Sequence, residues 1–145
     1  MSERLDFYKA SPEAIKAMVA LEQRIGKSGL EKSLVELVRL RASQINGCAY
    51  CVDLHSSDAR KAGENERRLA TLSVWRETPF FTDRERAALE WTESLTLISA
   101  SHVPDSVWEA VQPHFSPEEL TDLTLLVVAI NGWNRFAISF RKQPA

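Results

Sequence analysis

Cysteine is nearly missing from this chain of 145 residues: Cys48 and Cys51 are the only two. Histidine is as sparse, with His55, His102 and His114. A structural zinc site takes four ligands, usually as two Cys/His pairs set apart, and here no second pair exists. Glycine occurs five times, and no stretch alternates polar and apolar residues between hairpin turns, which argues against a sheet. Charge of one sign is never blocked together. Eighteen Lys/Arg are interspersed with twenty Asp/Glu for a formal net charge of −2, so no basic stripe stands ready for nucleic acid. No unbroken apolar run approaches the ~20 residues that span a bilayer, and Met1-Ser2-Glu3-Arg4-Leu5-Asp6 lacks an apolar signal core. No membrane association and a cytoplasmic location are the expectations. The composition, 44% hydrophobic and 26% charged, suits one globular domain over residues 1–145 with a core that needs no staples.

What is present reads as helix throughout. Ser11-Pro12-Glu13 offers a capping hydroxyl, a first-turn proline and an acid ahead of Ala14 to Arg24. Leu30, Leu34, Leu37, Val38 and Ile45 have helical spacing, and Asn46-Gly47 breaks that helix. A helix over about Cys48 to Ala62 ends at Gly63, a suitable C′ residue. Asn65 caps another through Trp75, stopped by Thr78-Pro79. Thr82-Asp83-Arg84-Glu85 and Ser116-Pro117-Glu118-Glu119 are capping boxes. The first opens a helix to about Ser99; the second opens the most apolar helix, Leu120 through Ile130 and on to Phe140. With a short helix at Pro104 to Val111, the expectation is an all-α single-domain bundle of seven helices. Trp133, Phe136, Ile138 and Phe140 follow an already apolar helix and suggest a subunit contact, hence a homo-oligomer.

The chemistry concentrates in Cys48-Ala49-Tyr50-Cys51-Val52-Asp53-Leu54-His55. At ~100° per helical residue the two cysteines share a face, with His55 one turn beyond Cys51. A Cys-x-x-Cys pair closes a disulfide reversibly, and the nucleophile is the thiolate. Near a helix start the free N–H groups and the dipole favour that thiolate, more so at Cys48. His55 at i+4 from Cys51 is placed to move the thiol proton directly or through one water. Glu36, twelve positions before Cys48, reaches His55 if its helix packs on the cysteine helix. Its bland alternative is a solvated ion pair with Lys32 or Arg39. Cys48, Cys51 and His55 plus a carboxylate are also a conceivable, though cramped, zinc set. A thioredoxin arrangement does not fit, because the segment before Cys48 lacks strand character.

Glu36-x11-Cys48-x2-Cys51-x3-His55, centred on Ile45-Asn46-Gly47-Cys48-Ala49-Tyr50-Cys51, resembles the alkylhydroperoxidase D-like branch of the carboxymuconolactone decarboxylase family. Glu85-Arg86-Ala87-Ala88-Leu89 leading to Leu95-Thr96, and Ile130-Asn131-Gly132-Trp133-Asn134-Arg135, extend the likeness from about Leu30 to Arg141, with the core motif over about 30–63. The resemblance implies a helical homo-oligomer, commonly a trimer or a hexamer. It implies a peroxidase without metal or organic cofactor, using a hydroperoxide substrate and a thiol reductant of unknown identity. In that scheme Cys51 attacks the peroxide, Cys48 closes the disulfide, and His55 with Glu36 forms the proton relay. Tyr50 departs from the histidine often found at that position. The cysteine pair disfavours the lactone decarboxylation of relatives that lack it. A non-catalytic redox sensor or scaffold is the second reading and a zinc-binding module the third.

Overall fold

The computed structural model describes residues 1–145 and contains nine α-helices and no strand. The helices are α1 (Phe7–Ala10), α2 (Pro12–Gly26), α3 (Lys32–Asn46), α4 (Ala49–Lys61), α5 (Glu66–Thr71), α6 (Asp83–Thr96), α7 (Ile98–Ser101), α8 (Asp105–Val111) and α9 (Pro117–Phe140). The all-α expectation holds, and both capping boxes form, at Thr82/Glu85 and Ser116/Glu119.

Four local features differ from expectation. Helix α1 was not foreseen: four residues are too few to show a period, and it stands on Asp6, whose side chain accepts from the Tyr8 and Lys9 N–H groups. Ser11 does not cap α2 with its hydroxyl, because it is the junction residue, its N–H closing α1 on the Phe7 carbonyl. The helix expected to run from Thr82 to Ser99 breaks at Leu97. Ser101 Oγ donates to the Ser94 carbonyl at 2.6 Å, a side-chain bond that competes with the helical ladder. The segment from Asn65 also tightens, becoming a 3₁₀ turn at Leu72–Glu77 with non-helical backbone at Val74.

Helix α3 is the centre of the bundle, packed on α4, α6 and α9. Leu34 and Val38 face a core shared with Leu123, Leu126 and Ala88. Leu37 and Leu40 face a second core with Leu72, Trp75 and Leu89. The i, i+3, i+4 spacing that predicts a helix thus serves two cores from opposite sides of one element.

The expectation that no apolar run nears membrane length needs qualification. The 24 residues of α9 include an 18-residue window of mean hydropathy 1.3, long and apolar enough to cross a bilayer by length and composition. In the fold α9 packs on α2, α3 and α6. Its polar side chains pair within the chain: Asp122 with Arg24, Asn131 with Thr96, and Asn134 with Ser43. One face, with Leu123, Leu126, Ala129 and Ile130, is buried in the bundle, while Val128 and Ile138 are exposed.

The aromatic tail of α9 also differs from expectation. Phe7 packs on Phe136 and Phe140 at ring-centroid distances of 5.4 and 5.8 Å, and Trp133 donates to Glu22 of α2. Arg4 ties the N-terminal arm down, its N–H donating to the Phe140 carbonyl at 2.8 Å. The arm therefore covers three of the four residues, leaving Ile138 exposed. These aromatics do not by themselves demand a second subunit.

Candidate redox site at the Cys48–Cys51 disulfide

Gly47 sets the geometry. With φ +71° it adopts the left-handed conformation that ends α3. The Cys48 N–H then donates back to the Ser43 carbonyl and the Gly47 N–H to that of Gln44, a Schellman closure. Cys48 is consequently not the first residue of the next helix but its N-cap, and Cys48 Sγ accepts from the Cys51 N–H at 3.2 Å. The turn is pinned to α9 by Asn46, which donates to the side-chain oxygens of Asn131 and Asn134 at 2.9 and 2.8 Å.

Cys48 and Cys51 form a disulfide with Cα atoms 5.2 Å apart, and both are almost wholly buried. Cys51, not Cys48, borders a cavity of about 230 Å³. His55 lines the same cavity, whose apolar walls are Phe7, Tyr8, Tyr50, Leu54, Trp133 and Ala137. The side chain of Tyr50 is thus a wall; Lys142 Nζ lies 5.1 Å from its ring centre and 5.2 Å from that of Tyr8.

Because α3 packs on α4, Glu36 meets His55, the condition that the sequence left open. Glu36 Oε2 lies 3.2 Å from His55 Nδ1, while its Oε1 accepts from Arg39 at 2.6 Å. One oxygen of Glu36 is therefore ion-paired with Arg39 and the other faces the His55 ring. Arg39 also donates to Glu22 Oε2, and Glu22 Oε1 accepts from the Trp133 indole at 2.9 Å. A continuous polar chain runs Trp133–Glu22–Arg39–Glu36–His55, and all of it but Glu36 lines the cavity. Burial alone would raise the Glu36 carboxyl; the hydrogen bond from His55 and the charge of Arg39 outweigh it and hold the group below its ordinary value. Glu36 is thus ionised at neutral pH, with Oε2 facing the His55 ring.

All four residues picked out by spacing, Glu36, Cys48, Cys51 and His55, converge on this site. Sequence reading missed Glu22 and Tyr8 there, which belong to elements remote in the chain and carry no local motif, and it read Trp133 in a family segment and in the apolar tail but not at this site. Arg39 was visible only as the i+3 partner of Glu36. The conceived zinc set is not assembled, since the two sulfurs are bonded to each other. The group of metal-type donors present is Glu36, His55 and Asp58, their ligand atoms within 4.8 Å of one another.

The site is a buried Cys-x-x-Cys disulfide with a carboxylate-paired histidine one turn on, carried by an all-helical bundle. The carboxymuconolactone decarboxylase family model matches residues 12–94, and the chain belongs to that family. Over all 145 residues it is 41% identical to the uncharacterized protein YdfG of Bacillus subtilis, covering 99% of that protein. Over 64 residues, 44% of this chain and 32% of the relative, it is 39% identical to the alkyl hydroperoxide reductase AhpD of Bradyrhizobium diazoefficiens. The crystal structure of an Agrobacterium tumefaciens protein of unknown function, associated with AhpD antioxidant defence, superposes with a TM-score of 0.96 at 46% identity, covering 99% of each chain. These likenesses place the chain in the AhpD-like branch.

Proposed function

We propose that the protein is a thiol peroxidase that reduces hydroperoxides through Cys51 and Cys48 without metal or organic cofactor. The observation that carries the reading is that Cys51 and His55 line one small cavity while the ionised Glu36 stands behind the His55 ring, 3.2 Å from its Nδ1. In the reduced enzyme His55 takes the Cys51 proton, and Glu36 stabilises the resulting imidazolium. The Cys51 thiolate attacks one oxygen of ROOH, the O–O bond breaks, and the imidazolium returns its proton to the leaving alkoxide, giving ROH and a Cys51 sulfenic acid. The Cys48 thiol then displaces water from that sulfur, closing the disulfide. An external dithiol regenerates both thiols and is itself oxidised.

The burial of Cys48 and the exposure of Cys51 to the cavity fit these separate roles, as does the AhpD likeness. The working protein in this reading is a cytoplasmic homo-oligomer, a hexamer by family resemblance. The apolar surface that supports assembly lies on α8 and α9, where Trp108 and Val128 are exposed beside a groove of about 710 Å³.

Consumption of an organic hydroperoxide in the presence of a dithiol tests the reading. The parent turns over and Cys51→Ser does not; equal rates for the two refute the peroxidase. A disulfide that forms and is reduced readily while no peroxide is consumed supports the redox sensor instead.

A further inference from the structure

Asp58 is a loose end. It sits one turn beyond His55 on α4, half-buried, with its carboxylate beside those of Glu36 and the imidazole of His55. That carboxylate makes no side-chain hydrogen bond and no ion pair, although Lys32 and Lys61 border the same hollow. Around it, Glu22, Glu36 and Asp58 are opposed within ion-pair distance by Arg39 alone. Three carboxylates thus gather beside the His55 ring with one guanidinium in ion-pair contact, and Asp58 is left without a cation in contact although its ligand atom lies within 4.8 Å of those of Glu36 and His55.

We propose that Glu36, His55 and Asp58 form a binding site for a zinc-type divalent cation. An imidazole with two carboxylates selects against magnesium and calcium, which take oxygen ligands, and suits zinc. Zinc–ligand bonds of about 2.0–2.2 Å in a tetrahedron put neighbouring donors roughly 3.3–3.6 Å apart. The Glu36–His55 spacing of 3.2 Å is close to the lower end, and all three ligand atoms lie within 4.8 Å of one another. Glu36 can offer Oε2 while Oε1 stays on Arg39, so the guanidinium need not be displaced. Three protein ligands leave the fourth position to water, an open site rather than a closed structural one. Binding takes the imidazole that the proposed peroxidase uses. The inference rests on that reading for its consequence, inhibition, and not for the binding itself.

The test is titration of the oxidised full-length protein with zinc chloride, followed by calorimetry, with the disulfide withholding both sulfurs. One zinc binds per chain, Asp58→Asn weakens it at least ~10-fold, and the Cys48→Ser/Cys51→Ser double variant binds as the parent does. In the parent, the imidazole nitrogen resonances of His55 move while those of His102 and His114 stay, a readout that needs no variant to fold. No saturable uptake, unchanged affinity in Asp58→Asn, loss of binding in the double serine variant, or movement at His102 or His114 instead overturns the site. For the consequence, zinc slows hydroperoxide consumption by the parent at least ~10-fold more than by Asp58→Asn, and equal sensitivity overturns it. Calorimetry uses neither peroxide nor reductant, so a protein that binds zinc but lacks peroxidase activity refutes the functional reading and leaves the site standing.

Discussion

The smallest unit of the account is one carboxylate with two partners. Glu36→Gln conserves volume and keeps a hydrogen bond available to Arg39, so the fold stays intact. A neutral amide stabilises an imidazolium far less than a carboxylate does. Alkylation and peroxide oxidation of Cys51 should slow by ~10²–10⁴-fold, the contribution of a positioned proton-transfer group, as measured by stopped-flow on the reduced protein. A parent-like rate would make Glu36 a plain ion-pair member. The depressed Glu36 carboxyl also has a thermodynamic signature. Its contribution to stability is complete above the ordinary value of 4.5 and is lost as pH falls below that toward its native value. Urea midpoints should therefore fall less steeply on acidification in Glu36→Gln than in the parent; parallel slopes would refute the shift. The four site residues were legible because their spacing lies on two neighbouring helices and a single turn. Glu22, Trp133 and Asp58 were not, since what recruits them is packing between helices, which no local pattern records.

At the scale of the element, one tripeptide has two outcomes. Ile45-Asn46-Gly47 ends a helix, whereas Ile130-Asn131-Gly132 continues through one. Gly47 is left-handed with open space where a Cβ would stand, so its glycine is required by backbone conformation. Gly132 is helical and would place a Cβ 2.9 Å from the Met18 methyl, so its role is close packing of α2 on α9. Gly47→Ala should cost about 1–2 kcal/mol for the left-handed alanine, read as a lower urea midpoint; no change would mean the turn relaxes. The two asparagines meet across the bundle, and Asn134 is fully buried, with Asn46 donating to it and its own amide donating to Ser43. Asn134→Ala strands those partners and should cost about 1–3 kcal/mol in the same measurement. The capping boxes and long periodic helices were legible from sequence because caps and apolar stripes are local. The four-residue α1 and the break at Leu97 were not, as they depend on side-chain hydrogen bonds to backbone groups.

For the whole molecule, the family assigns the bundle and the N-terminal arm encloses the site. The aromatics at the end of α9 showed in the sequence as surplus apolar surface, but nothing there revealed that Phe7 covers them. The assembly proposed above uses the α8–α9 face, where Trp108 and Val128 are exposed. Sedimentation equilibrium should give a multiple of the 16.4 kDa chain mass, and Val128→Arg should lower it. A parent at the monomer mass would refute the homo-oligomer. The central claim is that Cys51 takes oxygen from a hydroperoxide. Its most direct measurement is mass spectrometry of reduced Cys48→Ser after one equivalent of organic hydroperoxide, with a sulfenic-acid trapping reagent present. One trapped adduct, located on Cys51, is expected together with one equivalent of the alcohol. An unmodified Cys51 with the hydroperoxide left intact would contradict it.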